Sequence, residues 1–200
     1  EEGQLLGAQV VGYDGVDKRV DVFATAIKFE KTVFDLQELD LAYAPPFGSA
    51  KDPVNMAGFV AGNMLEGKVE MVHWNEVDER GEDSIILDVR EDVEVKLGMI
   101  EDAVHIPLND LRDRLDELDE EKEIVVYCAV GLRGYLGARI LMQNGFDDVK
   151  NLSGGYKLYE EVLKDQQEII DNSTTAECER LTSVMTPAEG RYNKEMLEEC

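Results

Sequence analysis

The chain has 200 residues and 44% hydrophobic content, enough for one full core and at most two domains. Its formal net charge of −24, with no basic patch, excludes nucleic acid and anionic membrane surfaces as partners. Three cysteines (Cys128, Cys178, Cys200) form neither a metal spacing nor a disulfide framework, no run is apolar enough to span a membrane, and no signal peptide is visible.

In chain order, Gln4–Val11 reads as a strand and Gly12-Tyr13-Asp14-Gly15 as a turn. Val16–Lys31 reads as an amphipathic helix with Val16, Val20, Phe23, Ala24 and Ile27 on one face. Thr32 followed by Asp35 has capping-box form and starts a short helix. The prolines of Leu41–Gly48 make that stretch an extended loop, and Asp52-Pro53 opens a helix running to about Glu66. One strand and a few helices cannot cover a sheet by themselves, so residues 1–66 are expected to be half of a domain or to dock on another chain.

This first segment resembles the C-terminal dimerisation domain of flavin-dependent pyridine nucleotide–disulfide reductases, closest to coenzyme A disulfide reductase and its NADH oxidase relatives. The residues that carry the likeness are Leu6–Gly12, Asp17–Val22, Asp40–Phe47 and Asp52–Gly58. The resemblance implies a homodimer formed through residues 1–66. It also implies a loop, including Tyr43, Pro45 and Phe47, that reaches toward the partner subunit's flavin and coenzyme A site; Phe47 stands where such relatives often carry tyrosine.

Gly67-Lys68-Val69 reads as a linker. Val69–Trp74 is an expected strand, Asn75–Glu79 a short helix capped by Asn75, and Ser84–Val89 a central strand. His73 and Trp74 read as packing and surface residues. Asp88 and Arg90 flank that strand's carboxyl end as a pair that shapes the neighbouring loop. Glu91–Leu97 is expected to be helical, Val104–Pro107 a strand, and Asn109–Leu118 a helix with Leu111, Leu115 and Leu118 inward; His105 reads as a core or surface residue. Strands alternating with helices give an α/β fold with a doubly wound parallel sheet over residues 67–167.

Ile124–Tyr127 has the pattern of a buried strand, and Leu132–Gln143 that of a helix with Leu136, Ile140 and Leu141 on one face. Between them lies Cys128-Ala129-Val130-Gly131-Leu132-Arg133-Gly134, a cysteine at a strand's carboxyl end with a helix N-terminus beyond it. Open α/β sheets put their ligand sites there. Loop amides and the positive helix end favour a thiolate at Cys128, and Arg133 adds positive charge.

Cys-x-x-Gly-x-Arg resembles the six-residue active-site loop of rhodanese-type sulfurtransferases. Ile86–Arg90, Gly98–Ile100 with Ala103–Leu108, and Asn151–Tyr156 resemble that family's other segments, with Met99 where histidine is usual. The resemblance implies that Cys128 carries sulfane sulfur as a persulfide, held by Ala129, Val130, Gly131, Leu132 and Gly134 with Arg133 in support. It implies a sulfane-sulfur donor and a thiol acceptor as partners. Phosphatases and arsenate reductases of the same fold use a loop one residue longer, and a non-catalytic interaction module would not need the cysteine.

A reductase dimerisation segment followed by a rhodanese domain resembles the coenzyme A disulfide reductase–rhodanese fusions, also described as NADH-dependent persulfide reductases. That order implies FAD, NADH and coenzyme A for the full-length relative, with coenzyme A persulfide as a sulfur partner. No Gly-x-Gly-x-x-Gly fingerprint occurs here, so the chain itself is expected to hold no cofactor and no metal. A thiolate enzyme suits the cytoplasm. Residues 168–200, with Cys178 and Cys200, read as an acidic tail, helical or disordered.

Overall fold

The computed structural model describes residues 2–46, 48–77, 81, 83–166 and 168. Its centre is a five-stranded, wholly parallel sheet in the order β1-β5-β4-β2-β3. The strands are β1 (Glu70–Val72), β2 (Ile85–Asp88), β3 (Val104–His105), β4 (Ile124–Tyr127) and β5 (Val149–Leu152). The expected parallel α/β fold is therefore what the chain adopts.

Period-two alternation along β2 and β4 feeds two cores, one on each face of the sheet. Leu87, Ile124, Val126 and Cys128 join Leu111 and the Ala138, Ile140 and Leu141 side of α5 (Leu132–Met142). Ile86, Val125 and Tyr127 join Val77, Ile100, Leu152 and, at the margin, Tyr156 and Tyr159 of a closing helix over residues 155–166. Burial on both faces explains why β4 is apolar at every position instead of alternating with polar residues.

Ahead of the sheet, α1 (Val16–Lys28), α2 (Val33–Glu38) and α3 (Pro53–Leu65) share a smaller core of Ala26, Leu36 and Val54. Both of the later helices are started by side chains. Thr32 and Asp35 form the expected capping box of α2, and Asp52 caps α3 with Pro53 at its first position. Asp52 is only 5% exposed and receives Nε and Nη2 of Arg19 at 3.1 and 3.0 Å. Buried Asn55 donates to the carbonyls of Leu36 and Leu39, tying α3 to the end of α2.

Several sequence expectations are corrected. Gln4–Val11 is no strand: a single antiparallel bridge joins Gln4 to Thr32, and Leu6 and Val11 are each 87% exposed. A strand needs a neighbour along its length, and the described residues supply none there. Helix α1 ends at Lys28, and its inward face is turned by the Arg19–Asp52 pair, leaving Val20 and Ala24 exposed. The short helix after β1 is a 3-10 turn, Trp74–Glu76, begun by His73, whose N–H donates to Glu76. In place of a helix over Asn109–Leu118 there are two 3-10 turns, Leu111–Asp113 and Leu115–Glu117, broken at Arg114. The tighter winding drops Leu111 and Leu118 into the core. On α5, Leu136 is exposed and Gly134, Gly137 and Ala138 face inward, because the helix lies close against β4 and β5. The expectations for Phe47, for residues 78 and 79 at the end of the helix expected after β1, and for the tail beyond residue 168 lie outside the described residues.

Asp88 and Arg90 close the carboxyl end of β2. Asp88 is fully buried, Arg90 is 3% exposed, and the guanidinium Nε and Nη2 meet the carboxylate at 2.7–3.0 Å. Arg90 also donates to the Gly98 carbonyl at 2.7 Å and lies 4.1 Å over the Tyr156 ring. Burial beside Asp88 pushes the Tyr127 hydroxyl well above its usual range. Removing one member of such a pair strands the other in the core. Asp88→Ala is predicted to lower unfolding free energy in urea by about 3–5 kcal/mol; a loss under about 1 kcal/mol would show that the pair does not hold this end of the sheet.

Candidate active site

The cysteine loop leaves β4 at Tyr127 and enters α5 at Leu132. Cys128 is 1% exposed, set at the floor of the loop. It lies deep because its side chain continues the apolar stripe of β4. The rim is Val130 and Leu132, each about 60% exposed. The Gly131 N–H donates to Cys128 Sγ at 3.2 Å. Gly131 has φ +134, a backbone state that L side chains rarely adopt, and it is the N-cap of α5 with no side chain capping the helix. The first N–H groups of α5 have no acceptor within the helix, so its positive end opens onto the loop.

The loop is held from behind. The Tyr156 N–H donates to the Cys128 carbonyl at 2.8 Å and the Lys157 N–H to the Ala129 carbonyl at 3.1 Å. These donors open the closing helix immediately after Gly154 and Gly155. Gly155 has φ +60, and a Cβ there would strike the Cys128 carbonyl and approach the Val130 nitrogen to 2.8 Å. Gly134 also sits close: a Cβ there would press on the side-chain amide of buried Asn151, which would have to shift. Asn151 in turn donates to the Gly131 carbonyl at 3.3 Å.

Arg133 does not point an unpaired charge at the loop. Its Nη1 and Nη2 form a two-pronged ion pair with Glu94 at 2.6 and 2.7 Å. The Arg133 guanidinium lowers the Glu94 carboxyl to about 2, and Glu94 raises the Arg133 pKa, with a smaller contribution from neighbouring Cys128. Glu94 lies in α4 (Asp92–Val95), where its carboxylate also receives the Glu91 N–H at 3.0 Å. Sequence reasoning missed Glu94. The available signal was Glu91-x-x-Glu94, a capping pair opening a helix just after Asp88-Val89-Arg90.

Asp88 and Arg90 support the structure from below; their contacts are with each other, Gly98 and the tyrosines, and not with the loop sulfur. His105 Nε2 lies 2.8 Å from the Arg90 carbonyl, a structural contact on the same end of the sheet. Tyr43 and Pro45 are exposed in the N-terminal segment and form no part of this loop. Among the described residues no cluster of His, Cys, Asp or Glu is arranged to hold a metal ion.

A cleft of roughly 560 Å³ runs along the loop. One wall is Val130, Gly131, Leu132 and Tyr135; the other is Met56, Phe59, Val60 and Asn63 of α3, with Lys51 at the end, 4.2 Å over the Phe59 ring. The N-terminal segment thus shapes the approach to the cysteine loop, which its sequence alone did not indicate.

Gly155→Ala is predicted to displace the loop, removing the Gly131–Cys128 contact and destabilising the fold by about 1–3 kcal/mol, measured by loss of thiol reactivity together with urea denaturation. Unchanged reactivity and stability would show that the Gly155 clamp is dispensable.

Residues 73–162 match the family model for the rhodanese-like domain. A sulfurtransferase of Allochromatium vinosum is 38% identical over 74 residues, which cover 37% of this chain and 69% of the relative. Among solved structures, reduced CoADR-RHD of Bacillus anthracis is 53% identical with TM-score 0.72, covering 76% of this chain and 27% of that one. An NAD-dependent persulfide reductase from A. fulgidus is 44% identical with TM-score 0.65, covering 74% and 26%. This chain thus spans about a quarter of the length of either solved protein. A parallel sheet ending in an amide-lined cysteine loop, with these likenesses beside it, places the chain in the rhodanese-like family.

Proposed function

We propose that this chain is a sulfurtransferase module that carries sulfane sulfur as a persulfide on Cys128. The Gly131 N–H on Cys128 Sγ, at the uncapped N-terminus of α5, carries this reading. The Cys128 thiolate attacks the outer sulfur of the donor. A new S–S bond forms, the donor's own S–S bond breaks, and its electron pair leaves with sulfite or a thiolate. An acceptor thiolate then attacks the outer sulfur of the persulfide, and Cys128 departs as a thiolate. Negative charge on the outer sulfur is met by loop and helix amides that are in place before the reaction. Arg133 steadies the loop through Glu94.

The larger protein we infer is an FAD- and NADH-dependent coenzyme A disulfide or persulfide reductase, with this chain as its C-terminal part. The likeness to the two solved proteins covers about three-quarters of the chain, more than residues 73–162 alone, which supports that reading. In it, residues 1–66 form the homodimer contact. Exposed Leu6, Val11, Tyr13 and Phe29 support a further surface packing there, and exposed Tyr43 and Pro45 suit contact with the partner subunit's flavin and coenzyme A site. Coenzyme A persulfide as sulfur partner would approach Cys128 along the cleft beside α3. The turns after β2 and β4 carry Asp88-Val89-Arg90 and the cysteine loop in place of a pyrophosphate cradle, which supports our expectation that this chain itself binds neither FAD nor NADH, and no step here passes through them. No helix among the described residues is long and apolar enough to cross a membrane, and we place the protein in the cytoplasm, where a reactive thiolate stays reduced.

Mass spectrometry tests the reading. After treatment with thiosulfate or polysulfide, Cys128 is predicted to gain about 32 Da, one persulfide sulfur. Cys128→Ser abolishes the gain, whereas Cys178→Ser and Cys200→Ser retain it. A wild-type chain that gains nothing at Cys128 would refute sulfur transfer.

A further inference from the structure

The Arg133–Glu94 pair bears on which sulfur donors the loop accepts, a point that rests on the sulfurtransferase reading. An arginine closing a cysteine loop is an anion-binding group when its charge is uncompensated. Here both outer guanidinium nitrogens are taken by one carboxylate at 2.6 and 2.7 Å, and the pair is partly buried, with side chains 30% and 29% exposed. Arg133 also has a weaker attraction to Cys128, but Arg133 and Glu94 together bring no net charge to the mouth of the loop. The rest of the lining is Ala129, Val130 and Leu132, all uncharged, and Lys51 sits across the cleft against Phe59. Arg90 lies on the same side as Glu94 but is bound to buried Asp88.

Charge then separates the donor classes. Thiosulfate is a dianion attacked by a thiolate, and it expels sulfite, again a dianion; three negative charges meet at the transition state. An organic persulfide arrives with one negative charge or none and expels a thiolate. A site whose cation is already neutralised gives the first reaction little stabilisation and leaves the second almost unaffected, because the backbone amides serve both.

We infer that Glu94 is a specificity-determining positioning residue: by holding Arg133 in a two-pronged ion pair at the mouth of the Cys128 loop, it biases the site against dianionic sulfur donors and toward organic persulfides.

The test compares kcat/KM for thiosulfate and for glutathione persulfide in the wild type, Glu94→Gln and Glu94→Asp, with Cys128 loading followed by mass spectrometry in the same reactions. Glu94→Gln frees the guanidinium and is expected to raise the thiosulfate-to-persulfide ratio at least ~10-fold, mainly through a lower KM for thiosulfate, with the gain shrinking as salt is added. Glu94→Asp keeps the charge and is expected to hold the ratio near the wild-type value. The wild type gives a reading that needs no variant: its kcat/KM for thiosulfate stays flat or rises with ionic strength, because the site is not cationic and the chain is strongly acidic. An unchanged or falling ratio in Glu94→Gln, equal shifts in both variants, or a steep fall of the wild-type thiosulfate rate with salt would overturn the inference while Cys128 still loads. Absence of loading from both donors in the wild type would instead remove the sulfurtransferase reading, and this inference with it.

Discussion

Two backbone hydrogen bonds set the geometry of this site: the Tyr156 N–H to the Cys128 carbonyl and the Lys157 N–H to the Ala129 carbonyl. They pull the first two carbonyls of the reactive loop back against the start of the closing helix. With those oxygens held on the far side, the Gly131 N–H reaches the sulfur and the uncapped end of α5 opens beside it. The two bonds exist only because Gly155 has no side chain to separate helix from loop. They also need β5 beside β4, since β5 delivers Gly154 and Gly155 to that spot. The parallel sheet is thus the means by which a segment more than twenty residues downstream comes to shape the cysteine loop.

Two ion pairs follow β2 in quick succession, and they do different work. Asp88–Arg90 is buried, braced by the Gly98 carbonyl and the Tyr156 ring, and it fixes where the carboxyl end of the sheet meets the closing helix. Glu94–Arg133 is only partly buried and Arg133 neighbours Cys128, so its effect falls on whatever ligand enters the loop. The depressed Glu94 carboxyl keeps that pair ionic throughout the pH range in which a thiolate reacts. Positive potential at the sulfur therefore comes mainly from amides and the helix end, which cannot be titrated away, while the weaker attraction of Arg133 for Cys128 is offset by Glu94.

Much of this was legible in the chain. The apolar run Ile124–Tyr127, the cysteine after it and the helix period from Leu132 located the loop without any structure. Asp88-Val89-Arg90 announced a strand end, and Thr32 with Asp35 announced a helix start, because each is a local pattern whose partners lie within a few residues. Contacts between distant segments were not legible. Gln4–Val11 has strand composition, yet a strand forms only against a neighbour along its length, and the described residues pair with it only at its start, where Gln4 bridges Thr32 and the Leu5 N–H donates to the Lys31 carbonyl. Val20 looked inward by helix period, but Arg19 turns inward to reach Asp52, thirty-three residues away, and rotates the face. The pairing of Arg133 with Glu94 spans thirty-nine residues and depends on how α4 is placed against α5. Likewise the cleft wall supplied by Met56, Phe59 and Val60 has no sequence signature, since a helix with those residues reads equally as core.

The central claim is that the loop is built in advance to hold an extra sulfur on Cys128. A crystal structure of the protein loaded with sulfane sulfur addresses it most directly. The outer sulfur is predicted to lie within about 3.5 Å of N–H groups between Gly131 and Gly134, with the loop backbone unmoved and the Tyr156 and Lys157 bonds intact. An outer sulfur turned away from those amides, or a loop that must rebuild to admit it, would contradict the account.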